Sequence, residues 1–365
     1  MILGWLELRD FRVHEELSFS PDAAVNLLVG DNGSGKTSVL EAIGYLATLR
    51  SFRRSPDAAM VRVGAEAAVV RGEFRGNVST VKVEIENPAE GRRRVLLDGK
   101  AVRSRSEVAE HVDVVAFLPD DLDLVKRGPA YRREWMDDLA VMLWPRAASE
   151  QQDLERAVRQ RNALLKKEGR RTDLPTLDVW DQRISALGGA VLRRRLEALD
   201  LARPHLASVH SRLAGQGEAL SWEYRSSVEG VASTADDLEA LMAAALAAVR
   251  PADMERRVTT VGPHRDDLEL SLGGRDVRTR ASQGEQRSVA LGLRLLAATL
   301  SVDHRGVAPV VLLDDVFSEL DPDRGRRLVE LLPAGQVFIT SAHPAEVPLG
   351  GAVWNVSVEG IEAAP

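Results

Sequence analysis

Eight residues constrain this chain more than any others. Gly30-Asp31-Asn32-Gly33-Ser34-Gly35-Lys36-Thr37 fits the pattern GxxxxGK[ST]. The apolar run Val25 to Val29 precedes it and predicts a β-strand. Thr37 to Leu49 follows, with Val39, Leu40, Ile43, Leu46 and Ala47 at helical spacing. Strand, loop and helix in that order are the context the motif needs. Glycines let successive backbone N–H groups turn toward one point, and the helix N-terminus behind them adds positive potential. Residues Gly30 to Ser38 are therefore expected to cradle phosphates, with Lys36 reaching the β- and γ-phosphates and the Thr37 hydroxyl ligating Mg²⁺.

A second motif reinforces the first. Val310 to Leu313 is a continuous apolar run, as a parallel strand buried on both faces requires. It ends in Asp314-Asp315, at the end of the strand where ligands bind in such sheets. Asp314 is expected to hold Mg²⁺, directly or through water, and Asp315 to orient or deprotonate an attacking water. A third element, Ser282-Gln283-Gly284-Glu285-Gln286, opens a predicted helix over 284–300. An S-x-x-E capping box accounts for Ser282 and Glu285. It does not account for Gly284, a poor helix former in a first turn, where a glycine permits close approach by a ligand.

Composition narrows the class. The 365 residues contain no cysteine, which excludes a disulfide scaffold and cysteine-ligated zinc or iron–sulfur sites. No apolar run approaches the roughly 18 residues of a membrane span. The opening MILGWLELRD lacks a basic and then apolar leader, so a cytoplasmic protein with no membrane partner is expected. The formal net charge is −7, yet nearly all of the 48 basic residues are arginine, and they cluster. Arg50, Arg53 and Arg54 form one group, Arg92, Arg93, Arg94, Lys100, Arg103 and Arg105 a second. Arg156, Arg159, Arg161, Lys166, Lys167, Arg170 and Arg171 form the third. Each cluster alone reads as a solvated face; three in an acidic chain point to a phosphate-binding face. Arg50, Arg53, Arg92, Arg93, Arg94 and Arg103 are the candidate DNA contacts.

The rest of the chain divides by pattern. Ile2–Leu8, Val69–Phe74 and Val78–Ile85 read as strands. Helices are expected near 129–144, 147–167 and 176–213, with Pro204 kinking or breaking the last. A strand over Leu220–Arg225 and a helix over Ala235–Val249, closed by Pro251, follow. The last third returns to α/β, with helix Pro322–Leu332 and strands Gln336–Thr340 and Val353–Val358. No heptad run is long enough for an extended coiled coil.

Order and local structure of the three motifs resemble the ABC-type ATPases, in which the Ser-x-Gly-x-Gln element is the signature. That resemblance implies ATP and Mg²⁺ as ligands. It also implies that Ser282, Gly284 and Gln286 contact the γ-phosphate held by a second subunit. His343 falls at the family's switch histidine and Ser318-Glu319-Leu320-Asp321 at its D-loop. The resemblance extends over nearly the whole chain to the RecF family of DNA-repair ATPases. Phe11-Arg12, Arg50-Ser51-Phe52-Arg53, Pro119-Asp120-Asp121-Leu122, Gly128-Pro129 with Tyr131-Arg132-Arg133, Gly262-Pro263-His264-Arg265-Asp266-Asp267 and Asp315-Val316-Phe317-Ser318-Glu319-Leu320-Asp321 carry it.

That similarity implies an α/β fold, an ABC-type head with a mixed-sheet lobe (1–112 and 303–365) and a mostly helical lobe (113–302) bearing the signature. It implies an ATP-dependent homodimer that clamps DNA duplexes at gaps or single-strand/double-strand junctions. Slow ATP hydrolysis, with Asp315, Lys36 and His343 as catalytic residues, would release the DNA. RecO and RecR would be partners, helping RecA load during repair, fork maintenance and the SOS response. Arg12 is a candidate adenine contact. Three departures stand out: Asp315 replaces the usual Glu, no glutamine occurs around Phe117 to Asp121, and Arg127 precedes Gly128-Pro129 where Gly is frequent. A transporter-type head, a head of the SMC or Rad50 type, and a P-loop kinase or GTPase are the alternatives. Against the last, no Asn-Lys-x-Asp guanine-reading motif occurs.

Overall fold

The structure is a computed structural model that describes every residue except Val78, Arg170, Arg171, Thr172, Gln216 and Pro365. The expected strand start at Val78 and the two arginines of the third basic cluster thus lie outside the described residues. By packing, the chain divides into two compact units, 1–122 with 208–217 and 287–365, and 123–207 with 218–286. Residues 113–122 and 287–302 group with the first unit.

The first unit opens with β1 (Ile2–Phe11), β2 (His14–Phe19), β3 (Val25–Val29) and α1 (Lys36–Thr48). Then come β4 (Ala67–Arg75), β5 (Thr80–Pro88), β6 (Arg94–Leu97), β7 (Lys100–Val102), α2 (Arg105–Ala109) and β8 (Val114–Phe117). Helices α3 (Leu122–Lys126), α4 (Pro129–Leu143), α5 (Ala147–Glu168) and α6 (Leu174–Ala214) follow. Strand β9 (Leu220–Arg225), α7 (Leu238–Arg256), β10 (Asp267–Leu272), β11 (Arg275–Asp276) and α8 (Val277–Arg280) lead to α9 (Gln283–Arg305). The chain ends with β12 (Val310–Asp314), α10 (Pro322–Leu331), β13 (Val337–Ser341), β14 (Ala352–Ser357) and β15 (Gly360–Ala363).

Two six-stranded sheets build the first unit. One is antiparallel, in the order β2-β1-β4-β5-β6-β7. The other, β15-β14-β3-β13-β12-β8, is parallel except for the β14–β15 pair. Helix α1 lies in the core they share: Val39, Leu40, Ile43, Tyr45 and Leu46 pack in one cluster with Leu3, Leu6 and Val83 of the antiparallel sheet and Leu312 and Phe338 of the parallel one. A helix buried on every side cannot tilt without disturbing both sheets. Strand β12 is buried on both faces, with Val310 and Leu312 in that cluster and Val311 and Leu313 packed with Leu291, Leu295 and Ala298 of α9. The apolar run demanded this placement, and it sets Asp314 at the strand's C-terminal end.

The second unit is mostly helical, with the three-stranded antiparallel sheet β11-β10-β9. Its core collects Leu154, Val158, Ile184, Leu192, Met242 and Leu246. Arg161 is wholly buried there, bonded to Asp181 at 2.6 Å, to Asp253 at 2.7 Å and to Thr259 at 2.9 Å. Pro251 does not close its helix, and Pro204 does not break the one that contains it. Pro204 lies inside α6 and Pro251 inside α7. Each proline frees the carbonyl four residues earlier, at Asp200 and Ala247, and both residues are solvent-exposed, so water can satisfy them. Among the described residues no helix is long and apolar enough to cross a membrane.

Candidate functional site

The glycine loop has the backbone its sequence requires. Gly33 has φ 84° with open space around it, so the backbone conformation and not crowding calls for glycine. Gly35 has φ 99°, and the His14 ring occupies the place its side chain would take. Gly35 caps α1 without a side-chain hydrogen bond, and no acidic residue sits in the first helical turn. Lys36 Nζ folds over the loop, donating to the Gly30 carbonyl at 2.6 Å and the Asp31 carbonyl at 2.9 Å. Burial lowers the Lys36 pKa, while the carboxylates of Asp315, Asp31 and Asp314 pull it back up. Asp31, Asn32 and Gly33 are exposed, Ser34 is half-buried and Ser38 is buried.

Across the strand ends the acids are held by hydroxyls. Thr37 Oγ1 and Thr340 Oγ1 both donate to Asp314 Oδ1 at 2.8 Å. The Asp315 N–H donates back to Thr340 Oγ1 at 2.9 Å. Burial pushes the Asp314 pKa above the usual carboxylate range, against the two threonine hydrogen bonds and the charge of Arg53. Asp315 is exposed and sits at φ 50°, a left-handed conformation that is strained for a non-glycine residue. His343 is exposed just past β13, its N–H donating to Ser341 Oγ. The loop, Lys36, Thr37, Asp314 and Asp315 thus converge. A hydroxyl and a carboxylate oxygen within 2.8 Å of each other form a hard-donor pair suited to Mg²⁺, which usually takes one or two protein oxygens beside phosphate and water.

The arginines sort into those tied by bonds within the fold and those at the exposed surface. Arg12 is tied: it bonds Glu41 through two nitrogens at 2.8 and 2.6 Å, the Ala59 carbonyl at 2.7 Å and Ser55 at 2.9 Å. Every guanidinium nitrogen of the candidate adenine contact has an intramolecular acceptor. Glu41, fully buried on α1, also accepts from Ser51 Oγ at 2.5 Å, and the Arg53 N–H donates to that same hydroxyl. Arg93 lies over the Tyr45 ring and bonds the Leu49 carbonyl and Asp57, a structural pin. That contact with Arg93 opposes burial, which nonetheless pushes the Tyr45 pKa up to about 12. Arg50, Arg92, Arg94 and Arg103 are exposed. Arg53 is exposed too, and near enough to Asp314 to act on its pKa, so it belongs with the acid pair's surroundings.

Sequence reasoning missed Thr340 and Glu41. The signal for each was a polar residue inside an apolar pattern, Glu41 between Leu40 and Ala42 and Thr340 after Val337-Phe338-Ile339.

In the second unit Ser282 carries the expected cap. Its N–H donates to Glu285 Oε2 at 2.7 Å, and the Glu285 N–H reaches Ser282 Oγ at 3.3 Å. Arg275 bridges Glu218 at 2.6 Å and Glu285 at 3.6 Å. Gln286 is buried and its amide holds the Val277 and Arg278 carbonyls, each at 3.1 Å, so its role within the unit is to fix the approach to the helix. Gly284 is half-buried. The Gly262 to Asp267 motif also fastens its own unit: His264 and Arg265 bond the Thr259 carbonyl, Asp266 takes Tyr224 and Ser227, and Asp267 takes Arg132 through two bonds.

Comparison with known proteins fits this geometry. The sequence model of the RecF/RecN/SMC N terminal domain matches residues 2–358. A protein of Streptomyces avermitilis named "DNA replication and repair protein RecF" is 42% identical over 368 residues, covering 98% of each chain. Its namesake in Kineococcus radiotolerans is 43% identical, covering 95% of this chain and 94% of its own. The solved structure of a recombination mediator protein RecF with ATP, from the RecFOR pathway, superposes with a TM-score of 0.92 at 27% identity, covering all of this chain and 98% of that one. An Smc head bound to the C-terminal winged-helix domain of ScpA reaches a TM-score of 0.58 at 16% identity, a likeness of fold alone. The chain belongs to the RecF family of DNA replication and repair proteins, built on the SMC-type ATPase head.

Proposed function

We propose that the chain is an ATP-gated, DNA-binding repair protein whose nucleotide pocket is completed by a second copy. The observation that carries this reading is the convergence of the glycine loop, Lys36, Thr37 and Asp314, with the Thr37–Asp314 bond at its centre. The family's structures determined with ATP support the choice of nucleotide. The loop's N–H groups and Lys36 bind the triphosphate. Thr37 and Asp314 would hold Mg²⁺, which when bound neutralises charge on the β- and γ-phosphate oxygens. Asp315, exposed beside them, orients the attacking water and accepts its proton. Its arm is one methylene shorter than that of Glu, so turnover is slow.

In the proposed homodimer Ser282 and the N-terminus of α9 meet the γ-phosphate bound to the partner, and His343 reads the same phosphate from its own side. Arg53 stands on the nucleotide side, while Arg50, Arg92, Arg94 and Arg103 remain the candidate DNA contacts. Dimerisation doubles that basic surface, and phosphate contacts without base readout give little sequence preference. Family membership supports action at gaps or junctions with RecO and RecR, upstream of RecA. The test is DNA binding across a salt series with and without ATP and Mg²⁺. Tighter binding with ATP, and a steep fall of affinity with salt, are expected. Binding indifferent to both overturns the reading.

A further inference from the structure

The hydroxyl of Thr340 joins the two acids through a single atom. Thr340 is 1% exposed, on β13, directly beside Asp314 in the parallel register. Its neighbours Phe338 and Ile339 are fully buried, as is Val311 of the adjacent strand. At such a position a valine would serve the sheet as well as a threonine. The hydroxyl instead makes two bonds that valine cannot. Its hydrogen goes to Asp314 Oδ1 and a lone pair receives the Asp315 N–H. It therefore holds the first acid by its side chain and the second by its backbone, where the chain takes its strained left-handed turn.

We propose that Thr340 is the positioning residue of this acid pair. It fixes the carboxylate plane of Asp314 and the backbone direction of Asp315, and so the separation between the metal-holding acid and the water-orienting acid. Thr37 donates to the same Asp314 oxygen, but its own oxygen is also a candidate metal donor. When Thr37 serves that purpose, Thr340 is the hydrogen bond that stays on Oδ1. The acid pair is thus held from β13, the strand that runs on to His343, so any shift of that strand end acts on both acids together. The inference rests on the nucleotide-hydrolysis reading above.

The test compares full-length wild type with Thr340→Val, which keeps the shape and removes the hydroxyl, and Thr340→Ser, which restores it. Thr340→Val is expected to lower kcat by about tenfold or more with a smaller rise in KM for ATP, the pattern of a lost transition-state arrangement. Thr340→Ser is expected to return to within about threefold of wild type. A binding readout runs beside it, using a fluorescent triphosphate analogue with Mg²⁺ or with EDTA. Affinity in EDTA should be unchanged and the Mg²⁺-dependent gain reduced, because the phosphate loop makes no bond to Thr340. Thr340→Ala carries the same expectations if the valine variant does not fold. Valine and alanine variants that match wild type, a serine variant as impaired as valine, or an equal loss of affinity in EDTA and Mg²⁺ each overturn the proposal. A wild-type protein that neither binds nor hydrolyses ATP overturns the parent reading and this one with it.

Discussion

Helices α1 and α9 both begin beside a glycine, Gly35 as the cap of α1 and Gly284 in the first turn of α9, yet the two N-termini are finished in opposite ways. At α1, Gly35 supplies no side-chain acceptor and the first turn has no acid, so the N–H groups await an acceptor from outside the helix. The helix body is locked in the core. At α9, Ser282 and Glu285 cap each other, and Arg275 backs the carboxylate. The hydrogen bonds from Ser282 hold the Glu285 pKa below its ordinary range, so it is ionised at neutral pH. An anion arriving at α1 meets a first turn without a carboxylate, whereas one arriving at α9 meets Ser282 with a carboxylate in the same turn. The first end is built to hold a phosphate, the second to touch one already held.

That contrast predicts unequal lesions. Lys36→Ala should have the largest effect, because it removes the ammonium folded over the loop; ATP affinity is expected to fall by about 100-fold or more, read by equilibrium binding. Retained affinity would mean that the loop is not the phosphate site. Ser282→Arg should leave the monomer's ATP affinity within about threefold of wild type and abolish the ATP-dependent dimer, read by light scattering. Equal damage to both properties would erase the distinction between the two helix ends.

The same contrast explains what the sequence disclosed. The phosphate loop, β12 and the acid pair were legible because each rests on a local rule: glycines for positive φ, an unbroken apolar run for a doubly buried strand, acids at its end. The capping box was legible for the same reason. The roles of the arginines were not, because charge density along a chain says nothing about which side chains find acceptors. Arg93 and Arg161 sit in the same clusters as Arg92 and Arg159, yet the first two are structural pins and the last two are exposed. Gln286 stands at the signature position, yet its amide is buried against the carbonyls of Val277 and Arg278, nine and eight residues earlier, through a turn that the local pattern does not announce. Thr340 becomes visible only when β12 and β13 are placed in register.

A milder substitution sharpens the comparison. Glu285→Gln keeps a residue able to close the capping box and removes the negative charge. If α9 is restrained by that carboxylate, the ATP-bound dimer should tighten by a few fold, about 0.3–1 kcal/mol for a charge at an exposed helix end. ATP binding by the monomer should not change. A weakened dimer would show that Glu285 itself takes part in the contact.

The smallest effect concerns His14, which supports α1 from behind Gly35. Its ring is buried, with Nε2 3.3 Å from the Gly35 carbonyl. Burial lowers its pKa below the ordinary 6.5, while the Gly35 and Val358 carbonyls act the other way. The folded protein therefore keeps the ring neutral at a pH where the unfolded chain takes up a proton. Stability from this group is complete above pH 6.5 and is lost as pH falls through the lower folded value. His264 in the second unit is also lowered by burial and has the same sign. Tm should fall modestly between about pH 7.5 and pH 5.5, and His14→Gln should flatten part of that slope. Because His14 touches the loop at α1, the same acidification should weaken ATP binding in wild type more than in His14→Gln. Identical pH dependence in the two proteins would show that the ring only fills space behind the loop.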